Sequence, residues 1–324
     1  METFILSGSD VATYSPMTDV VPAVEDAFAA YETDAVEMPA KSYVDVPTGD
    51  FRSMPAFVGA DSWEAAGVKW VSVHPDNPGT HDLPTVLGVM VYSDPATGLP
   101  LAIMDGTELT MRRTGAAAAV ATDHLAVADA TSMGFVGAGV QSYAQLKAVS
   151  TVRPIEEVVV SDPDDDRVEQ FVDTFADEFS VRPGDVGDAA ACDVLSTVTP
   201  VEDPIVSAAD LGGRTHVNAI GADAPGKREL AADVINTAKL VIDDHEQCIH
   251  SGEINVPWSE GLIDESDIDA ELGEIVTGQR DGRVAVDGVT VFDSTGLAIQ
   301  DVAAAHIVYE AARDGDVEAF DFFA

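Results

Sequence analysis

The spacing of apolar positions changes twice along the chain, and each change marks a change of architecture. Phe4–Leu6 is a short apolar run that predicts a strand, while Asp19–Tyr31 repeats apolar residues at helical spacing. From Lys41 to about Asp105 the pattern shortens into β-like segments: SYVDV, FRSMPAFV, AGVKWVSV, TVLGVMVYS and PLAIMDG. Turn signals such as Pro47-Thr48-Gly49-Asp50 and Pro95-Ala96-Thr97-Gly98 lie between them, so hairpins dominate and a mostly antiparallel sheet or partial barrel is expected. Glu108 to about Ala128 then predicts an alanine-rich helix. Beyond it, apolar runs and helical segments alternate, the pattern of an open parallel sheet. The strands expected there include Glu157–Asp162, Asp193–Thr199, Thr215–Gly221, Lys239–Asp243 and Val289–Asp293, with a helix at Arg167–Phe179. A final alanine-rich helix, Ile299–Arg313, needs a surface to pack on.

These patterns make the chain an α/β protein of two domains: residues 1–115 with 300–324 form a β-rich domain, and 116–299 are inserted as a dinucleotide-binding domain. The second assignment rests on Thr131–Leu146, TSMGFVGAGVQSYAQL, where an apolar run meets Gly137-Ala138-Gly139 and a helical pattern follows. Gly137 allows a tight turn, Gly139 lets backbone approach a pyrophosphate, and the helix N-terminus favours negative charge. Ser142 stands where the usual third glycine would be and is small enough for close packing. The strand at 157–162 ends in Asp162, placed to meet a ribose hydroxyl and to reject a 2′-phosphate, since Pro163–Asp166 supply no arginine. NAD rather than NADP is therefore the cofactor expected.

Charge narrows the choice of partner. Against 58 acidic residues stand 16 basic ones, five lysines and eleven arginines, for a net charge of −42. Such a surface repels nucleic acid and anionic membranes, so neither is an expected partner. The acids are scattered and 46% of residues are hydrophobic, which excludes a disordered acidic protein. Self-repulsion on this scale suits a salt-screened, halophilic cytoplasm. Cys192 and Cys248 are too few for a disulfide framework, and no apolar run reaches membrane-spanning length, so a reduced, cytoplasmic protein is expected. His245 and His250, with Glu246 and Glu253, match no metal spacing and predict a solvent-exposed helix; no metal is expected. Asp162–Asp166 need no calcium, and beyond Asp162 they are expected to be acidic surface.

In a chain so short of bases, Lys41, Arg52, Lys69 and Arg113 each require a reason. AGVKWVSV puts Lys69 among apolar neighbours, where an ammonium is costly unless paired. Singly, each could be a structural salt bridge; together they suggest a clamp for an anionic substrate, with an arginine fork suited to a carboxylate. Lys69 could also serve as a Schiff-base or acid–base lysine.

Longer motifs surround these residues: Val68-Lys69-Trp70-Val71-Ser72-Val73-His74-Pro75-Asp76-Asn77-Pro78, then Leu83-Pro84-Thr85-Val86, then Leu109-Thr110-Met111-Arg112-Arg113-Thr114-Gly115. Further on come Ile220-Gly221-Ala222-Asp223-Ala224-Pro225-Gly226-Lys227-Arg228-Glu229-Leu230 and Phe292-Asp293-Ser294-Thr295-Gly296-Leu297-Ala298-Ile299-Gln300-Asp301. With these in view the chain resembles the ornithine cyclodeaminase/μ-crystallin family over nearly its whole length, and within it the archaeal alanine dehydrogenase branch. The resemblance implies a Rossmann NAD-binding domain joined to a β-rich substrate and dimerisation domain, and a homodimer. It implies Arg113 and Lys41 as carboxylate contacts, Lys69 beside the reacting carbon, and Asp223 as the acid–base residue. Gly137, Gly139, Gln141 and Asp162 would hold pyrophosphate and ribose, while Ser196, Thr197, Thr199, Ser294 and Thr295 would line the nicotinamide side. Asp223 could instead cap a loop, and Ser294 and Thr295 could be turn residues. Trp70 and His74 are expected to be structural.

One departure bears on substrate. Where cyclodeaminases tend to carry an acid before Met-Pro, this chain has Arg52, which would repel the distal ammonium of ornithine and suit a small amino or keto acid. The expected activity is NAD-dependent, reversible deamination of a small L-amino acid, L-alanine to pyruvate and ammonia. The rivals are ornithine cyclodeamination, reduction of cyclic imines such as pyrroline-2-carboxylate, and a non-catalytic NAD-binding crystallin-like protein.

Overall fold

The protein was analysed as a computed structural model that describes residues 2–322 and 324. It divides into two compact units, one holding residues up to Thr114 together with those from Leu297 onward, the other Gly115–Gly296. The sequence patterns put these changes at 115/116 and 299/300. Among the described residues, no helix is long and apolar enough to cross a membrane.

The first unit is built on an eight-stranded sheet. Its order is Glu318–Phe320, Thr3–Leu6, Pro100–Asp105, Val86–Ser93, Glu64–Val73, Gly49–Gly59 and Val36–Glu37, with Ser42–Val46 also paired to Gly49–Gly59. Only Thr3–Leu6 against Pro100–Asp105 is parallel; the hairpins between 42 and 105 are antiparallel, as their turn residues require. Register sorts the side chains onto two faces. Lys69 lies opposite Met54 and Met90, and this face is covered by the closing helix Ala298–Ala312. That helix also packs on Met17–Glu32, and most of its residues are buried. The other face carries Phe51, Trp70 and Val89; Trp70 and Val89 are exposed, and Trp70 stacks on Phe51 at 5.5 Å.

The second unit is a wholly parallel sheet of eight strands. Their order is Ser180–Pro183, Glu157–Ser161, Ser132–Val136, Val194–Thr197, His216–Ala219, Thr290–Asp293, Lys239–Ile242 and Ala270–Glu271. From Ser132–Val136 the chain runs outward through Glu157–Ser161 to Ser180–Pro183 and then crosses to Val194–Thr197 on the other side, so the topological switch point lies between Ser132–Val136 and Val194–Thr197. Ligands of doubly wound sheets bind at this point, beyond the strand C-termini. The strands at the centre are buried on both sides, as a sheet covered on both faces demands; they feed a core of Val, Leu and Ile side chains and also bury His216, Asn218 and Thr290. The expected helix at Arg167–Phe179 is shorter, Asp165–Phe175, because Ala176–Phe179 turn the chain into the edge strand at Ser180. Asp164 begins that helix by accepting from the amides of Asp166 and Arg167, so it is a cap and not merely acidic surface.

One buried group on this sheet makes the fold sensitive to acid. His216 is fully buried, with Nδ1 3.0 Å from Thr290 Oγ1 and Nε2 3.1 Å from Asn218 Oδ1. Burial pushes its pKa down to about 3. The unfolded chain protonates this ring at its ordinary value and the folded chain does not, so acid favours unfolding from about pH 6.5 downward. The contribution between pH 7 and pH 4 is on the order of 3 kcal/mol. In thermal unfolding at constant high salt, the melting temperature of His216→Gln relative to the unmodified protein should therefore rise as pH is lowered through this window. A difference independent of pH would refute the assignment.

Candidate active site

Two constellations hold the residues singled out in the sequence, one in each unit. In the first unit, Lys69 is 1% exposed, and its ammonium meets Asp301 Oδ1 at 2.7 Å and Thr110 Oγ1 at 3.1 Å. The same Asp301 oxygen lies 3.1 Å from Arg113 Nε, an ion contact rather than an aligned hydrogen bond. Arg113 also donates from Nη1 to Gln300 Oε1 at 2.9 Å. Local sequence explains the assembly. The β alternation turns Lys69 toward the closing helix, whose first turns carry Gln300 and Asp301, and Arg113 projects from helix Gly106–Leu125 one turn after Thr110. Burial is the main influence on Lys69 and draws its pKa down to about 7; Asp301 opposes that, and the charges of Arg113 and Lys41 reinforce it. Lys41 is half-buried. Arg52 is held within its own strand by Asp50, Nε to Oδ1 at 2.7 Å and Nη2 to Oδ2 at 3.1 Å. The positive charge set against an ornithine ammonium is thus already met by a carboxylate two residues away.

In the second unit the glycine turn sits at the switch point. Gly137 has φ +105°, and a Cβ there would lie 2.9 Å from the Val198 carbonyl oxygen. Gly139 starts helix Val140–Val149 with no side-chain cap, and a Cβ on it would meet nothing within 4 Å. Ser142 is fully buried and donates to the Gly139 carbonyl at 2.6 Å, which satisfies the hydroxyl that replaces a third glycine. Asp162 accepts from the Ala138 amide at 2.8 Å, holding its carboxylate against the turn. Gln141 Oε1 and Ser196 Oγ are buried without a hydrogen-bond partner, while the Thr197 hydroxyl interacts with the Glu229 carboxylate. Open space over a helix N-terminus, a ribose-sized acid beside it and these spare polar atoms fit a dinucleotide.

The remaining loops at the strand ends are tied down by buried carboxylates that sequence reasoning missed. Glu229 accepts from the Thr199 amide and hydroxyl, each at 2.7 Å, and from the Gly221 amide at 3.0 Å. A Cβ at Gly221 would lie 2.4 Å from that carboxylate, so only glycine fits. Glu253 in turn accepts from the amides of Glu229 and Leu230, and Asp293 from those of Glu253 and Ile254. Asp243 collects the Ser294 hydroxyl and the Thr295 and Gly296 amides, at 2.8, 2.8 and 3.0 Å. Burial raises the pKa of Glu229, of Glu253 well above its usual range, and of Asp293 to about 7. Glu253 corrects an expectation: it follows helix His245–Ser251 and is 1% exposed, because the amides of residues 229 and 230 need an acceptor there. Asp223, on the loop fixed at Gly221, pairs with Lys227 at 2.7 Å and stays half-exposed. The signal for Glu229 was its place in the G-A-D-A-P-G-K-R-E-L run; Glu253 and Asp243 had none.

A parallel, doubly wound unit with its glycine turn at the switch point and a second, mixed-sheet unit carrying a buried lysine place the protein among two-domain α/β proteins built on a Rossmann unit. The model of the ornithine cyclodeaminase/mu-crystallin family matches residues 1–316, and the chain belongs to that family. It is 44% identical to an alanine dehydrogenase of Archaeoglobus fulgidus over 320 residues, 98% of this chain and 97% of that one. An archaeal alanine dehydrogenase, solved as a dimer with bound NAD, superposes with a TM-score of 0.94 at 43% identity, covering 100% of both chains. The Thermococcus litoralis Δ1-pyrroline-2-carboxylate reductase, solved with NADH and L-proline, gives 0.93 at 36% identity, covering 98% of this chain and 100% of that one.

Glu229→Gln leaves an NH2 group facing one of the donors that both oxygens now serve. Stranding a buried donor costs about 1–3 kcal/mol. The variant should unfold at lower denaturant, and the Thr199 and Gly221 amides should exchange hydrogen faster than other amides of the unit. Unchanged exchange at both would show that the carboxylate does not hold these loops.

Proposed function

We propose that the protein is an NAD-dependent dehydrogenase of small L-amino acids, converting L-alanine reversibly to pyruvate and ammonia. What carries this reading is the buried cation pair Lys69 and Arg113 sharing one carboxylate, a site with spare positive charge for a single small carboxylate. End-to-end similarity to the Archaeoglobus alanine dehydrogenase supports alanine among such acids.

Bound NAD supplies the hydride transfer. Gly137, Gly139 and Gln141 would stand at its pyrophosphate, Asp162 would take the adenosine ribose, and Ser196, Thr197, Thr199, Ser294 and Thr295 would border the nicotinamide end. Arg113 and Lys41 hold the substrate carboxylate; Arg52, paired with Asp50, stands on the same sheet face as Lys69 and adds positive charge there. Lys69 stabilises charge developing at the reacting carbon, and Asp223 moves the proton as water attacks it. Cyclic-imine reduction is the second reading, favoured by the likeness to the Thermococcus reductase. An NAD-coupled panel of L-alanine, L-ornithine, L-proline and pyrroline-2-carboxylate in molar salt separates them. Net NADH formation with alanine is expected, and Arg113→Ala should lower kcat/KM at least a hundredfold. Turnover of the cyclic imine without any of alanine would replace the first reading by the second.

We also propose that two copies associate through the outer sheet face of the first unit, where Trp70, Val89 and Val44 are exposed on one side of the strands. The dimeric archaeal relative supports this. Light scattering in molar salt should give twice the chain mass, and Trp70→Asp should give one chain mass; a monomeric unmodified protein would refute the proposal.

A further inference from the structure

We propose that Asp301 is the positioning residue of this site: one of its carboxylate oxygens holds the Lys69 ammonium and the Arg113 guanidinium as a single unit, so that filling the arginine with a carboxylate ligand draws a proton onto the lysine. The inference rests on the reading of Arg113 as a carboxylate site, and goes beyond it in assigning Asp301 and the coupling.

The geometry leaves few alternatives for these charges. Asp301 is 0% exposed, and its Oδ1 is shared at 2.7 and 3.1 Å by the two cations. Its Oδ2 has no hydrogen-bond partner, and neither has Gln300 Nε2. The groups that act on Lys69 are Asp301 from the closing helix, Arg113 and Thr110 from helix Gly106–Leu125, and Lys41 from the segment before Ser42–Val46. Lysine, arginine and aspartate together carry one net positive charge with Lys69 protonated and none with Lys69 neutral, and Lys41 adds the same charge to both forms. A bound carboxylate therefore meets one more positive charge in the first form than in the second. Ligand binding and lysine protonation must favour one another, and by linkage the effect is reciprocal. Lys69 sits near the midpoint of its titration at neutral pH, pulled down by burial and held up by Asp301, so the coupling falls in a measurable range.

The test uses the full chain in molar salt with saturating NAD+ and pyruvate, a pair between which no hydride can pass. Pyruvate affinity, measured by calorimetry from pH 6 to 9, should fall by up to about tenfold per unit once pH exceeds the midpoint near 7. Heats in buffers of different ionisation enthalpy should show proton uptake on binding at pH 8. Lys69→Met should make affinity independent of pH over this range. Asp301→Asn, which removes the one charge that favours the protonated lysine, should move the midpoint down by at least one unit, and Asp301→Glu should bring it part of the way back. A role confined to stability would lower the melting temperature of Asp301→Asn and leave the midpoint where it is; that result overturns the proposal. Failure of pyruvate to bind the unmodified protein at any pH would sink the carboxylate-site reading itself, and the coupling with it. Should Asp301→Asn not fold, Lys69→Met/Asp301→Asn should be the more stable variant, since of the two cations that Asp301 holds only Arg113 is then left without it. A double variant no more stable than the single one would overturn the assignment of Asp301 as the lysine's counter-ion.

Discussion

A protonated amine inside a protein must have a partner, and the first unit is arranged around one such amine. Lys69 sits on the covered face of a sheet, where desolvation alone would cost several kcal/mol if its charge were unmet. Asp301 meets it, and the closing helix that supplies Asp301 is also the element that covers Met54 and Met90 on that face. Core packing and charge compensation are therefore one event: the helix cannot seal the apolar face without delivering the carboxylate. Replacing either partner alone removes the interaction that offsets burial of the other.

The second unit solves a different problem with the same residue type. Loops at the C-terminal edge of a parallel sheet carry amides that no neighbouring strand accepts, and leaving them buried and unpaired is costly. Glu229, Glu253, Asp293 and Asp243 accept these amides in series, each after the first fixing the segment that holds the one before it. Backbone N–H groups, rather than cations, thus balance the buried acids. In a chain with 16 basic residues this is a practical arrangement, because there are few lysines or arginines to spare. It also explains why the acid-rich composition is not purely a surface property.

Period and punctuation made most of the fold legible. Strands of the hairpin region and of the parallel sheet carry alternating or continuous apolar runs, and Gly137 marks the switch point by a turn that other residues cannot adopt. The two-residue and four-residue strands at Ala270–Glu271 and Ser180–Pro183 were not legible, nor was Glu318–Phe320, since edge strands this short have no period to read. For the site, the apolar setting of Lys69 shows from sequence alone that a partner is needed. It does not show which of 58 acids provides it, and the answer lies 232 residues away on a helix notable mainly for its alanines. Glu253 was misplaced on an exposed helix for a related reason: its role depends on amides at 229 and 230, whose direction is set only when the loop folds.

The first unit is discontinuous, with the whole second unit inserted between Thr114 and Leu297. This has a consequence for synthesis. As the chain leaves the ribosome, Lys69 and Arg113 emerge long before Asp301, with an entire sheet still to be translated between them. Until then the lysine's face of the sheet has neither its cover nor its counter-charge, and the amine stays in water, where it is protonated and harmless. The inserted unit has every one of its strands available before the closing helix exists, so it can finish first. Assembly of the lysine site is then the last step, and a truncated chain that stops short of Leu297 would hold a complete second sheet and no site in the first.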